Sequence, residues 1–254
     1  MKNYKIVLAY DGTRYNGWQK QGNTENTIQE KLERILKDIS GQETEVFGSG
    51  RTDMGTHATG QVMNFHMNWK GSAESLLDAF NARLPEDIAG LSIEEKEPRF
   101  HSRLSAKAKH YSYSIWKSKK APVFERKYVF RCEEELDIMA MKQAASAFIG
   151  EHDFKSFCAN KRMKKSTVRT IYDIVFEETE DKLVLHFYGN GFLYQMVRIL
   201  TGTLIEVGEG KRKASEMENI LRAESREAAG FTAPSRGLFL REVYYESWKG
   251  GADA

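Results

Sequence analysis

From Thr27 to Gly41 the chain reads TIQEKLERILKDISG. Its apolar residues recur at the spacing of an amphipathic helix, and Thr27 with Glu30 forms the S/T-x-x-E pattern that opens one. Gly41 is placed to end the helix. The alternating run from Tyr4 to Tyr10 lies just upstream and predicts a strand. The chain therefore begins with a strand followed by a helix.

The same reading extends to about residue 96. Short strands are predicted at Glu45 to Phe47 and Gln61 to Met67, and a helix at Ala73 to Leu84, where Leu76, Leu77, Phe80 and Leu84 share one face. A strand from Leu91 to Lys96 completes the order βαββαβ. This is the element order of a ferredoxin-like unit.

Beyond Pro98 a similar order recurs with insertions. The predicted strands are 110–116, 127–131, 170–177, 182–188 and 238–245, and the predicted helices are 136–148, 192–207 and 214–221. We therefore predict an α+β protein of two ferredoxin-like domains, residues 1–98 and 99–254. Each would have an antiparallel sheet with helices on one face, and a cleft would lie between them.

Composition excludes several classes of protein. The 254 residues include 41% hydrophobic residues and only four Pro, which is too apolar for a disordered chain. Cys132 and Cys158 stand alone, so a disulfide scaffold is not expected. The most apolar segment is broken by Gln195 and Arg198 and is unsuited to cross a membrane. We predict a soluble, cytoplasmic protein.

A glycine-rich loop from Gly48 to Ala58 separates two of the predicted strands. It is not a dinucleotide-binding fingerprint, because position 53 is Asp and no strand-to-helix junction surrounds it. It does place a carboxylate, Asp53, two residues from the guanidinium of Arg51. In extended backbone both would point the same way, so Arg51 could hold Asp53 ionised as a nucleophile or base. The alternative is an Asx-turn beside a surface arginine.

Positive charge is concentrated in parts of the chain, although the totals are nearly equal at 38 basic and 36 acidic residues. Between Pro98 and Phe124 there is no Asp or Glu, and basic side chains, among them Arg103 and Lys109, alternate with aromatic ones. This composition suits single-stranded or looped RNA, since cations neutralise phosphates and aromatic rings stack on bases. Further basic residues lie at 211–213 and at Lys161, Arg162, Lys164 and Lys165. The alternative is a set of solvated loops.

The segment Gly189 to Arg198 follows a predicted strand and opens an apolar helix. Arg198 would lie among apolar neighbours, where an arginine is rarely placed unless it meets an anion. The alternative is an arginine on the solvent face of the helix. No pair of His or Cys residues has metal-ligand spacing, and no G-x-S-x-G turn is present. We expect neither a metal nor a cofactor.

Five ordered segments resemble the motifs of the tRNA pseudouridine synthase A family, nearly from end to end. They are Y-D-G-T at 10–13 through G-W-Q at 17–19, G-S-G-R-T-D-M-G-T-H-A at 48–58, G-E-H-D-F at 150–154, G-N-G-F-L-Y-Q-M-V-R at 189–198, and A-G-F-T-A-P at 229–234 with G-L at 237–238.

The resemblance implies conversion of uridine to pseudouridine in the anticodon stem-loop of tRNA, at tRNA positions 38 to 40, by a homodimer without a cofactor. Asp53 would be the catalytic aspartate and would attack C1′ of the ribose or C6 of the base. Arg51 would pair with Asp53 and help to fill the space of the flipped base, and Tyr111 would stack on that base. Arg198 would form an ion pair with Asp53, and Leu238 would supply an apolar wall.

This chain departs from the family pattern at a few positions. Thr56 stands where Val is common, Lys109-His110-Tyr111 replaces R-x-Y or R-R-Y, and Ser102-Arg103-Leu104-Ser105 replaces A-R-F-S. These departures affect substrate preference more than reaction type. Two other functions remain open at this point: a non-catalytic RNA-binding module and a carboxylate-based nucleoside hydrolase.

Overall fold

The computed structural model describes residues 1–160, 162–248 and 250. The chain divides into two compact units. Unit 1 comprises Met1–Lys107 with Phe239–Glu246, and unit 2 comprises Ala108–Leu238 with the described residues from Ser247 onward. The C-terminal segment therefore returns to the unit that contains the N-terminus.

Unit 1 follows the chain order predicted from sequence. Its elements are β1 (Lys2–Tyr10), α1 (Ile28–Ser40), β2 (Phe47–Gly48), β3 (His57–Met67), α2 (Ala73–Asn81) and β4 (Ile88–Lys96). The strands lie in the order β4-β1-β3-β2, and each of these neighbouring pairs is antiparallel. The predicted α+β class and the ferredoxin-like βαββαβ order are confirmed.

The limits of α1 follow from its caps. The Thr27 hydroxyl accepts a hydrogen bond from the Glu30 N–H (3.3 Å), and Gly41 ends the helix with φ +72°. Positive φ is easy only for glycine, so the helix ends where the sequence predicts. The apolar face of α1, which includes Leu32 and Leu36, is fully buried.

Several features of unit 1 differ from the expectations. The helix α2 ends at Asn81 instead of Leu84, and β4 begins at Ile88 instead of Leu91. β3 begins at His57 instead of Gln61, so the glycine-rich loop runs directly into a strand. The last strand, β10 (Leu238–Tyr244), was expected in the C-terminal half, but it pairs parallel to β3 at Phe239 and Leu240. Gly60 makes this approach possible, because a Cβ there would lie 2.0 Å from the Arg241 carbonyl oxygen.

Unit 2 is a second antiparallel sheet with helices. Its elements before β10 are β5 (Ala108–Trp116), β6 (Phe130–Arg131), α3 (Ile138–Ser146), β7 (Gly150–Asp153), β8 (Val168–Glu178), β9 (Lys182–Gly189), α4 (Met196–Gly208) and α5 (Met217–Ala223). The strand order is β5-β9-β8-β7, and β6 adds a short parallel pairing to β5. β7 was not predicted, because four residues are too few to show a period.

The apolar helix α4 starts later than predicted. The sequence predicts a helix from Phe192, but Gln195 adopts a left-handed conformation (φ 60°) and α4 begins at Met196. The predicted helix at 214–221 is instead a 3-10 turn followed by α5. Nowhere in the described residues is there a helix both long enough and apolar enough to span a membrane.

Candidate active site

Asp53 lies in the loop between β2 and β3, within a tight turn. The Thr56 N–H donates to the Asp53 carbonyl (3.0 Å), and Gly55 supplies the positive φ of +74° that the turn needs. Asp53 itself is half-buried, whereas the next residue, Met54, is 64% exposed. The turn thus fixes the backbone that carries the carboxylate and leaves it near the surface.

A buried hydrogen-bond network supports this turn from inside unit 1. The Tyr10 hydroxyl forms a hydrogen bond with the Thr52 hydroxyl (2.8 Å) and also accepts from the Gln61 amide (3.4 Å). Gln61 further donates to the Gly50 carbonyl (3.0 Å) and accepts from the Ser49 hydroxyl (2.6 Å). Burial raises the pKa of Tyr10 to about 12, so the Tyr10 hydroxyl keeps its proton at neutral pH.

The segment that follows β1 packs directly behind the turn. Gly17 has φ +91°, and a Cβ there would lie 2.8 Å from the Thr52 carbonyl oxygen. The Trp18 N–H donates to that same oxygen (3.0 Å). Gly12 lies still closer to Thr56, since a Cβ at Gly12 would be 1.9 Å from the Thr56 carbonyl oxygen. The first two sequence motifs, residues 10–19 and 48–58, therefore pack against each other in unit 1.

Arg51 is exposed and is held by a chain of amides that sequence reasoning missed. Its Nε donates to the side-chain oxygen Oε1 of Gln19 (2.9 Å), and the side-chain amide nitrogen of Gln19 donates to Gln29 Oε1 (2.7 Å). The Gln29 amide in turn donates to Glu33 (2.9 Å) on α1. The signal in the sequence is Gln29, a polar residue among the apolar positions of α1, which is only 8% exposed.

His57 has a packing role at the start of β3. Its ring is buried and stacks on Phe239, with centroids 4.6 Å apart. Its Nδ1 accepts the Gly12 N–H (3.1 Å), although Asp11 Oδ1 lies equally close to the same nitrogen. Among the described residues no cluster of three His, Cys, Asp or Glu side chains is suited to hold a metal ion.

Arg198 lies in unit 2, in the first turn of α4, and is half-buried. Its Nε donates to the Ala233 carbonyl (2.7 Å), and the Ala233 N–H donates to the Arg198 carbonyl (3.1 Å). The segment before Ala233 follows α4 closely, because a Cβ at Gly202 would lie 1.9 Å from the Phe231 carbonyl oxygen. The A-G-F-T-A-P stretch thus fixes the position of Arg198.

The other two candidate residues of unit 2 are well packed. Tyr111 on β5 is buried and meets the ring of Phe192 edge to face, with centroids 5.2 Å apart. Leu238 is also buried, and the preceding Gly237 packs against Tyr113. Asp53 and Arg51 belong to unit 1, whereas Tyr111, Arg198 and Leu238 belong to unit 2.

The basic side chains that the sequence suggests as RNA contacts differ in their exposure and in their ion pairs. Arg103 is exposed, Lys109 is half-buried on β5, and Arg162, Lys164 and Lys165 are exposed in the loop before β8; Lys161 is outside the described residues. In the cluster at 211–213, Lys211 pairs with Glu209 (2.7 Å) and Arg212 pairs with Glu206. Two members of that cluster are therefore occupied by carboxylates.

Comparison with known proteins gives consistent matches. The family model described as tRNA pseudouridine synthase matches residues 6–104 and 144–246. A tRNA pseudouridine synthase A from Thermoanaerobacter sp. (strain X514) is 45% identical over 96% of this chain and 100% of its own length. The protein of the same name from Acetivibrio thermocellus is 44% identical over 96% of this chain and 100% of its own length. The one from Halalkalibacterium halodurans is 46% identical over 94% of this chain and 90% of its own length.

Both the glycine-rich loop that carries Asp53 and the segments around Arg198 and Leu238 lie inside the matched ranges. The relatives are matched over 90% or more of their length, so the similarity extends well beyond a shared motif. The chain belongs to the tRNA pseudouridine synthase family.

Proposed function

We propose that this chain converts uridine to pseudouridine in tRNA, with Asp53 as the catalytic carboxylate. The observation that carries the proposal is the turn at Asp53, which is packed from behind by Gly12 and Gly17 and lies within the family match. Preorganised backbone of this kind holds a reacting group in place without cost at the moment of reaction.

The isomerisation needs only the carboxylate and a flipped base. Asp53 attacks either C1′ of the ribose or C6 of the uracil, and the C1′–N1 bond breaks. The uracil turns, a C1′–C5 bond forms, and the bond between Asp53 and C1′ or C6 breaks, which releases the carboxylate. C5 loses its proton and N1 gains one, so the product is an isomer of the substrate. Family resemblance assigns Tyr111 to stacking on the flipped base and Leu238 to the wall beside it.

The two arginines have separate proposed roles. Arg198, held by Ala233, is the cation that keeps Asp53 ionised. Arg51, held by Gln19 at the surface, enters the space that the base leaves. The anticodon stem-loop is the proposed substrate region, and the basic side chains Arg103, Lys109, Lys161, Arg162, Lys164 and Lys165 are proposed to contact its phosphates or those of adjoining RNA.

The decisive experiment is Asp53→Asn. We expect pseudouridine formation in a tRNA transcript to vanish, while tRNA affinity stays within a few-fold. Asp38→Asn makes the same chemical change at an exposed position of α1 and serves as the control. An active Asp53→Asn variant would remove Asp53 from the mechanism, and mapping the pseudouridines in the wild-type product tests the stem-loop assignment.

The same assay separates the two other functions considered. A nucleoside hydrolase would release free uracil and leave an abasic site, and a binding module would leave the tRNA unchanged. The family membership favours neither of them. Activity in the presence of a chelator tests the absence of a metal requirement.

We also propose a cytoplasmic homodimer, on family resemblance. Light scattering of the purified protein would give a mass near twice the 29.1 kDa of one chain. A monomeric mass at micromolar concentration would contradict the dimer and leave the catalytic assignment untouched.

A further inference from the structure

A cavity of about 510 Å³ lies within unit 2, beside the loop that follows Cys158 and the turn that follows α5. Four cationic side chains and three acidic ones line it: Lys155, Lys164, Lys165 and Arg226, with Asp153, Glu224 and Glu227. Its volume lies within the range of about 300–1,000 Å³ that is typical of ligand sites.

The acidic groups of the cavity are already engaged. Asp153 Oδ1 accepts the Lys155 N–H (2.9 Å) and the Thr167 hydroxyl (2.5 Å). Glu224 forms an ion pair with Lys155 Nζ (3.1 Å), and Glu227 accepts the Ser225 hydroxyl (2.8 Å). Lys155 is thereby paired with a carboxylate, whereas Lys164, Lys165 and Arg226 form no ion pair with any residue that the structure describes.

Lys164 and Lys165 are exposed, and within the part of the chain that the structure describes neither has a carboxylate within ion-pair distance. Arg226 is half-buried and donates to neutral groups, the Thr232 hydroxyl (2.9 Å) and the Ala229 carbonyl (3.4 Å). Burial lowers the pKa of Arg226, and the more distant carboxylates of Glu227 and Glu206 offset this effect only in part.

We propose that this cavity binds a backbone phosphodiester of the tRNA substrate, with Lys164 and Lys165 at its mouth and Arg226 in its wall. An anion there would be an ion-pair partner for the positively charged Arg226, and a guanidinium with two lysines matches phosphate oxygens well. The cavity is larger than a phosphate group needs, so the adjoining ribose enters with it. The identity of the ligand as RNA rests on the proposed function.

The first test removes charge at the mouth. Lys164→Ala with Lys165→Ala should weaken tRNA binding roughly tenfold and lower the slope of log affinity against log salt by about one phosphate contact. Lys142→Ala, at an exposed position of α3 outside the cavity, is the single-charge control and should change neither quantity measurably.

The second test fills the cavity without changing charge. Ser166 is exposed and lines the cavity, so Ser166→Leu should narrow it and weaken binding in the same direction. Arg226→Lys keeps the charge and should retain most of the affinity, whereas Arg226→Gln should lose it; thermal melting identifies any Arg226 variant that fails to fold.

The lysine and Ser166 variants test the proposal even if the Arg226 variants fail to fold. If tRNA affinity and its salt dependence are unchanged in the lysine variant, the proposal is overturned. It is overturned as well if the lysine variant binds tRNA more weakly while Ser166→Leu does not, because the lysines then act only as surface charge. If inorganic phosphate stabilises the wild type against heat while both variants bind tRNA normally, the cavity serves a free phosphate ligand and the RNA assignment is wrong. Since the readout is binding, these outcomes are independent of the turnover test at Asp53.

Discussion

Gly17 lies directly against the backbone of Asp53. A Cβ at Gly17 would be 3.2 Å from the Asp53 carbonyl carbon and 2.8 Å from the Thr52 carbonyl oxygen, and its φ of +91° is unfavourable for any other residue. Gly17 therefore sets how closely the segment after β1 can approach the turn, and through it where the Asp53 carboxylate lies.

Gly17→Ala should impair turnover more than binding. The added methyl group must push the turn away from its support, and a displacement of about 1 Å at a reacting group costs roughly 100-fold in rate. We expect kcat to fall by at least tenfold, with tRNA affinity within threefold of wild type. Gly22→Ala is the matched control, because Gly22 has open space around its Cβ position. Equal kcat values for the two variants would show that the contact has no positioning role.

Thr56→Val should stabilise the protein. The Thr56 hydroxyl oxygen is buried and, among the described residues, has no hydrogen-bond partner. Val is nearly isosteric and removes an unsatisfied polar group whose burial costs about 1–3 kcal/mol, so the melting temperature should rise by a few degrees.

Thr203→Val is the contrasting variant for Thr56→Val. The Thr203 hydroxyl donates to the Ile199 carbonyl (2.8 Å) and accepts the Gly230 N–H (2.9 Å), so its removal should lower the melting temperature. If Thr56→Val were also destabilising, its hydroxyl would have to be bonded in solution.

Gln19→Leu should affect catalysis through Arg51. Loss of the carbonyl that accepts from Arg51 Nε allows the arginine several rotamers, and we expect kcat to fall about three- to tenfold with little change in tRNA affinity. Gln21→Leu is the control, since the Gln21 side chain donates to the Asn16 backbone carbonyl (2.9 Å), whereas Arg51 Nε donates to Gln19. In an Arg51→Ala background, Gln19→Leu should have no further effect on kcat; an additive loss would assign Gln19 a role of its own.

The elements predicted well from sequence are those with local causes. The Thr27 cap, the Gly41 stop and the apolar face of α1 all lie within fifteen residues, and the structure confirms them. The glycine-rich loop was also recognisable, because its glycines have no role in a simple strand connection. The packing partner of the loop could not be predicted from neighbouring residues in the sequence, since Gly17 and Asp53 meet only after β1 and β3 have paired.

The differences from prediction arise where distant residues decide the structure. The apolar residues 192–194 precede Gln195 without a Gly, a Pro or a recognisable capping residue, so no local signal marks Met196 as the start of α4. The acceptor for Arg51 lies 32 residues away in the sequence, and the adjacent Asp53 was the natural local candidate. Pairing of β10 with β3 joins Phe239 to His57 across almost the whole chain, which no periodicity can predict.

That pairing has a consequence for how the protein is made. Ribosomes add about 5–20 residues each second, so on the order of ten seconds or more separates synthesis of β3 from synthesis of β10. Throughout that interval the strand that leads out of the Asp53 turn lacks its neighbour at His57 and Ala58, and its edge is open to other chains. A nascent chain cut short before Phe239 would have the complete loop but not the strand beside it. The strand that follows the Asp53 turn therefore gains this neighbour only after Phe239 and Leu240 have been synthesised.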